Sequence, residues 1–268
     1  MAGTNASPSS ASPSPESPST PRRIAFLGAT KGMGRALARR LAAGGDRFVL
    51  LGRDPDDLER SARDLEVRGG AATGSVATVA CDLADTDTFA PARDAAAEAL
   101  GEIDTVIVTA GVFETQDAME DDLDKARRLL DLDFTHTILF CEHAKRRLLA
   151  RGGGTLCVFS SVAGDRGRKP VAIYGAAKAG LSSYLEALDH KHHLDGLVTI
   201  DVKPGFVKTG MTAGLKAPPF AGEPEAVAER VERAIERSEP LVYTPAPWGQ
   251  IMLVIRCLPR FLMRRLGF

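Results

Sequence analysis

Seven short apolar runs, separated by segments of helical period, constrain the fold of this chain more than any other feature. They lie at 24–27, 48–51, 76–81, 105–109, 155–160, 198–202 and 241–243. Each is nearly continuous rather than alternating, as strands covered on both faces of a parallel sheet must be. Helical spacing fills the gaps: 34–43, a segment opened by Asp54-Pro55 and continued by Leu58, Ala62 and Leu65, 86–100, a long helix over 122–150 bent near Asp133, and 173–190. Such alternation, with right-handed crossovers, gives an α/β, doubly wound domain of about seven parallel strands with helices on both faces. Ligands of such a sheet bind beyond the carboxyl ends of its strands.

The 268 residues suit one such domain, at 22–245. Residues 1–21, mostly Ser, Pro, Ala and Thr, cannot bury enough surface to offset their ordering and are expected to be a disordered tail without the apolar region of a secretory signal. No stretch reaches the roughly 20 apolar residues that span a bilayer. The net charge of -1 gives no reason to expect a nucleic-acid partner. Cys81, Cys141, Cys157 and Cys257 are scattered and form no C-x-x-C pair, which suits a reducing cytoplasm and argues against a disulfide framework or structural zinc.

The first expected strand ends in Gly28, Ala29, Thr30, Lys31, Gly32, Met33 and Gly34, which open the first helix. Glycines there allow a tight turn and let backbone N–H groups approach a pyrophosphate at the positive end of a helix. The spacing is G-x-x-x-G-x-G, so the motif alone also suits a plain strand–helix turn. An NAD site places an acid at the end of strand two, on the ribose 2′-hydroxyl. Here Gly52 and Arg53 occupy that place, and Lys31 sits inside the glycine turn. Two cations favour NADP(H) over NAD(H), although both also suit a solvated surface and Asp54 adjoins Arg53. Asp82 and Leu83, after strand three, are expected beside the adenine.

Tyr174 and Lys178 stand one helical turn apart, with Ser161 at the end of strand five. Tyrosine has a pKa near ~10, too high for a base at neutral pH. A lysine at i+4 shares its helical face, and the cation favours the tyrosinate. Strand alternation points Ser161 and Ser160 to opposite sides.

In that order, the glycine turn, Asp82, Ala110-Gly111, Ser161, Tyr174, Lys178 and Pro204-Gly205 with Thr209 resemble the short-chain dehydrogenase/reductase family over residues 22–243. The resemblance implies a Rossmann-like fold and NAD(P)(H)-dependent hydride transfer between nicotinamide and a ketone or secondary alcohol. It implies that Lys178 also holds the nicotinamide ribose and that Pro204, Gly205, Val207 and Thr209 bind the carboxamide. It further implies a homodimer or homotetramer paired through long helices. Two positions depart from the family pattern. Thr109 stands where N-A-G is usual, and Asp133 replaces an Asn that relays protons through water to the lysine. An ionised Asp133 accepts hydrogen bonds but cannot donate, and it attracts Lys178. The last third, with SSVAGDRGRKPVAIYGAAKAGL and PGFVKTGM, resembles decaprenylphosphoryl-keto-sugar reductases.

Three further clusters have two readings each. Arg166, Arg168 and Lys169 suit either an anionic head group such as phosphate or a solvated loop. His190, His192 and His193 suit a solvated helix end better than a metal site, and no metal is expected. In the C-terminal segment 246–268, Ile251, Val254, Ile255, Leu258 and Leu262 keep helical spacing beside Arg256, Arg260 and Arg264, with Pro259 dividing two short helices. Residues 248–268 can lie on a membrane, cover the cleft or dock on a second subunit. The expected substrate is a small-molecule or lipid-linked carbonyl compound. A soluble ketone, a 3-ketoacyl thioester, and a non-catalytic NADP-binding sensor or scaffold are the alternatives.

Overall fold

The computed structural model describes residues 20–267. All but the last two positions of the expected N-terminal tail lie outside the described residues.

The sheet has seven strands: β1 (Arg23–Leu27), β2 (Arg47–Gly52), β3 (Ala77–Ala80), β4 (Thr105–Val108), β5 (Gly154–Phe159), β6 (Leu197–Pro204) and β7 (Leu241–Thr244). Their order is β3-β2-β1-β4-β5-β6-β7, and every pairing is parallel. The chain runs outward from β1 to β3, then returns to lay β4 on the other side of β1. The loops leaving β1 and β4 therefore part, and the crevice between them opens at the carboxyl edge.

Alternate residues of each strand feed two cores. Ile24 and Phe26 of β1 pack with Leu37 and Leu41 of α1 (Gly32–Ala43), Leu58 of α2 (Pro55–Gly69) and Val231 of α8 (Pro224–Arg237). On the other face, Ala25 and Leu27 share a core with Phe89 of α3 (Phe89–Leu100), Phe140 of α6 (Thr137–Ala150), and Leu181 and Leu185 of α7 (Ala172–His192). Cys81, Cys141 and Cys157 are buried in these cores.

Two helices lie outside the expected elements. One is α8, where Pro224 opens the first turn and Val227, Ala228, Val231, Ala234 and Ile235 are buried at helical spacing. The other is the short α4 (Gln116–Asp121), whose Gln116 side chain accepts from the Ile173 N–H at 3.1 Å and so holds the start of α7.

The long helix expected over 122–150 is two helices joined by a wider turn. Asp122 caps α5 (Leu123–Leu130), accepting from the N–H groups of Asp124 and Lys125. A π-helical turn spans Asp131–His136 before α6, and the Thr137 hydroxyl donates to the Leu132 carbonyl within it at 2.7 Å. The extra residue in a π turn re-aims the side chains it carries. Here it buries Leu132 and Asp133.

The C-terminal segment forms α9 (Pro247–Cys257) and α10 (Arg260–Met263), broken at Leu258-Pro259 as its proline requires. The expected apolar stripe is rotated, however. Met252 and Ile255 are buried with Val162, while Val254 is exposed.

Candidate active site

The loop from β1 into α1 is shaped by close approach. Gly28 has φ of 97°, and a Cβ on Gly34 would stand 2.2 Å from the Gly28 carbonyl oxygen and 2.4 Å from Thr109 Oγ1. Only glycine fits such contacts. The Thr109 hydroxyl donates to that same carbonyl at 2.9 Å, tying the end of β4 to the turn. Lys31 caps α1 without a side-chain hydrogen bond, and no acid occupies the first turn. The first N–H groups of α1 therefore face the groove without an internal acceptor, as a helix that binds an anion requires.

This turn borders a groove of about 420 Å³. Gly28, Thr30, Lys31, Gly32, Met33 and Gly34 line it from one side, and Arg53, Asp82, Leu83, Ala110, Gly111 and Thr209 complete it. The glycine turn and the open helix terminus suit the phosphates of a dinucleotide. The surroundings of Lys31 and Asp82 differ from expectation. Lys31 Nζ pairs with Asp57 at 2.8 Å, yet its side chain stays 76% exposed and both residues line the groove. Asp82 Oδ1 accepts from the Ala84 N–H at 2.9 Å, so one carboxylate oxygen already holds its own turn. His136 Nδ1 lies 2.8 Å from the Leu83 carbonyl and fixes that loop to the π turn.

A second cavity, about 930 Å³, adjoins the first along Met33, Gly111 and Thr209. Ser161, Tyr174, Lys178 and Asp133 all line it, with Pro204, Gly205 and Val207. Tyr174 and Lys178 project from one face of α7, and Lys178 Nζ lies 5.7 Å from the centre of the Tyr174 ring. Ser161 begins the loop that leads to α7. A Cβ on Gly164 in that loop would come within 2.7 Å of the Lys178 backbone, so the serine loop rests directly on the helix. Phe113 supports the Tyr174 ring edge-to-face, with centroids 5.2 Å apart.

Asp133 Oδ2 pairs with Lys178 Nζ at 3.1 Å, and their side chains are only 1% and 6% exposed. Asp133 Oδ1 accepts the Val112 N–H at 2.7 Å, and Lys178 also donates to the Phe159 carbonyl at 3.4 Å. Burial works to lower the Lys178 pKa, but Asp133, Tyr174 and Asp201 together outweigh it and the lysine is held above its ordinary value. Burial raises the Tyr174 hydroxyl. Lys178 and a hydrogen bond from Ser161 pull it down, Asp133 pushes it up, and the balance lies above the ordinary tyrosine value. The expected descent towards neutrality is thus reversed, chiefly by burial, with the Asp133 carboxylate adding to it.

A family model described as short chain dehydrogenase matches residues 22–219. The chain belongs to that family. An uncharacterised oxidoreductase of Mycobacterium tuberculosis is 32% identical, covering 91% of this chain and 96% of that protein. Cis-4-hydroxycyclohexanecarboxylate dehydrogenase of Sinomonas cyclohexanicum is also 32% identical, over 73% of this chain and 77% of its own length. A short-chain type dehydrogenase/reductase structure from Mycobacterium ulcerans superposes with a TM-score of 0.76 at 23% identity, covering 91% of this chain and 98% of that one, and shares the fold.

In this short-chain dehydrogenase the expected loop cations separate. Arg166 donates to the Leu258 carbonyl and Lys169 to the Arg264 carbonyl, each at 2.8 Å, so both hold the C-terminal segment. Arg168 alone of the three lines the larger cavity. Ser160 turns away as its strand position requires. It hydrogen-bonds Asp201, which also accepts from Ser182 at 2.7 Å. Among the described residues, no group of three His, Cys, Asp or Glu side chains is placed to hold a metal.

The cavity wall holds residues that the motifs do not mark. Phe206, Met211 and Leu215 come from the loop after β6, and Trp248, Ile251 and Ile255 from α9. Trp248 Nε1 donates to the Phe220 carbonyl at 3.2 Å, closing α9 against that loop. Periodicity signalled Ile251 and Ile255 as one face of a helix, but nothing local in the sequence says what that face meets.

Proposed function

We propose that this chain is an NADPH-dependent carbonyl reductase, or in reverse an alcohol dehydrogenase, acting on a ketone or secondary alcohol of lipid-like character. The observation that carries this reading is the meeting of Ser161, Tyr174 and Lys178 in a large cavity whose remaining walls are mostly apolar, beside the groove of the glycine turn. Bound in that groove, the nicotinamide supplies the hydride. Ser161 orients the carbonyl oxygen, and Tyr174 delivers its proton as charge develops there. A buried tyrosine held above its ordinary pKa keeps that proton at neutral pH, as a donor in reduction must. Lys178 steadies the phenolate left behind, and Asp133 sets how strongly. NADPH oxidation measured over a panel of ketones tests the reading. Tight NADPH binding without turnover of any ketone would instead favour a sensor, the reading that Asp133 in place of the usual Asn would support.

NADP preference rests on Arg53, which lines the groove at the ribose end and follows Gly52 where an NAD site needs an acid. Arg53→Ala is expected to raise KM for NADPH about tenfold and to leave KM for NADH within twofold, as loss of one charge-assisted contact to a 2′-phosphate predicts. Equal effects on both cofactors would remove Arg53 from the phosphate site.

A lipid-like substrate, with a lipid-linked keto sugar as one instance, agrees with the exposed side of the C-terminal segment. Leu253, Val254 and Phe261 are each at least 60% exposed, beside Arg256, Arg260, Arg264 and Arg265. Apolar side chains among cations suit the interface of an anionic bilayer. Replacing Leu253, Val254, Phe261 and Leu262 together by Ser is expected to reduce binding to phosphatidylglycerol vesicles at least tenfold. Unchanged partitioning would exclude membrane contact through this face. No described helix is long and apolar enough to cross a membrane. The proposed location is the cytoplasm or its membrane face. Leu123 and Leu130 of α5 and Leu139 of α6 are exposed and agree with pairing of subunits through those helices. A soluble ketone remains the second reading, because the Sinomonas relative is named for a hydroxylated ring acid.

A further inference from the structure

Arg168 is the group in this molecule whose chemistry is unfinished. It precedes the short turn that leads into α7, six residues before Tyr174, and lines the same cavity. Its Nε is buried and has no hydrogen-bond partner among the described residues. Burying a guanidinium is costly unless an anion or acceptors meet it. Asp165 is the acid that acts on it, yet Asp165 is already engaged. Lys203 Nζ lies 2.6 Å from Asp165 Oδ1, and the Tyr243 hydroxyl donates to Oδ2 at 2.8 Å. Its two neighbouring cations are turned to the C-terminal segment, as described above.

The other charges of the cavity leave the same gap. Lys178 and Asp133 neutralise each other. Lys216 and Asp117 line the cavity too, but both are exposed. Arg168 is therefore a partly buried guanidinium whose Nε meets no acceptor, in the lining of the mostly apolar chamber that also holds Tyr174. A guanidinium in that position matches the two oxygens of a carboxylate or phosphate.

We propose that the substrate is an amphiphile with an anionic terminus, a carboxylate or a phosphate, that docks on Arg168 while its apolar body fills the chamber and its carbonyl reaches Ser161 and Tyr174. This rests on the reductase reading for the carbonyl, but the anion site stands on Arg168 itself. The anchor would fix which carbon of a long, featureless chain comes to rest beside the tyrosine. Apolar walls alone leave such a chain free to slide.

The test uses binding as well as turnover. Trp248 is the single tryptophan of the chain and lines this cavity, so its fluorescence reports occupancy. Decanoate, decyl phosphate and methyl decanoate are titrated into the full chain with NADP present, in wild type, Arg168→Met and Arg168→Lys. At least one anion is expected to bind ten times more tightly than the ester in wild type. That ratio should fall within twofold of unity in Arg168→Met and survive in part in Arg168→Lys. The tighter of the two anions tells carboxylate from phosphate. Equal binding of all three probes in wild type, or an anion preference that persists in Arg168→Met, overturns the proposal. An arginine that merely supports the fold would weaken the three probes alike, which also overturns it. NADPH oxidation by an oxodecanoate is measured in parallel. Anion preference without turnover would leave the anchor standing and remove the reductase reading, whereas turnover without anion preference would do the reverse.

Discussion

Tyr174→Phe will lower kcat for ketone reduction about a thousandfold, within the ~10²–10⁴ range for loss of a positioned proton donor. The ring will keep its edge-to-face contact with Phe113 at 5.2 Å, and α7 its place under the serine loop. What disappears is a single hydroxyl whose proton must reach the carbonyl oxygen as negative charge grows on it. Among the cavity-lining groups, the Lys178 ammonium is held by Asp133 at 3.1 Å and by the Phe159 carbonyl at 3.4 Å, so it cannot simply take over. Steady-state NADPH oxidation with the best ketone of the panel checks the result. A Phe variant that retains a tenth of wild-type turnover would remove Tyr174 from the proton path.

Lys178→Met should destabilise the protein by about 3–5 kcal/mol, the cost of leaving one member of a buried ion pair without the other. Asp133 would keep only the Val112 N–H for a carboxylate that is 1% exposed. Adding Asp133→Asn to Lys178→Met should recover at least half of the loss, because a neutral amide needs no counter-charge. Denaturant unfolding of the two variants decides this, and a Met variant as stable as wild type would show that the pair carries no such tension. Asp133→Asn alone probes the chemistry. Asp133 holds the tyrosine pKa up, so its removal lowers that pKa. Reduction needs Tyr174 protonated and fails as pH rises through its pKa. The alkaline limb of kcat/KM should therefore move to lower pH, by about one unit on the scale of nearby-charge effects. A limb that stays in place or moves up would mean that Asp133 does not tune the tyrosine.

How much of this was legible in the chain varies by residue. Tyr174 and Lys178 were legible because helix spacing alone puts i and i+4 on one face. Gly28 and Gly34 were legible because a strand turning into a helix over a ligand demands residues without a Cβ. The bend near Asp133 was legible as an interruption, but not as a π turn. The helical period of α8 was written in Val227, Val231 and Ala234 and needed only to be read. By contrast, Lys31 is legible as a cation of the glycine turn, but its pairing with Asp57 of α2 is encoded by no local pattern. The three loop cations 166–169 looked equivalent. Two of them meet carbonyl oxygens more than ninety residues away, and only the third reaches the cavity.

The sequence by itself determined the strand–helix alternation, the parallel sheet, the glycine turn and the order of Ser161, Tyr174 and Lys178. These follow from local sterics, burial on both faces of a strand, and helical periodicity, all of which act over a few residues. The tertiary structure alone decided how charge is shared around them. It set Asp133 against Lys178, left Arg168 Nε without an acceptor, and brought Trp248 and Ile255 to the cavity. Electrostatic strength depends on distance and desolvation between residues far apart in the chain, and only the packed fold fixes both.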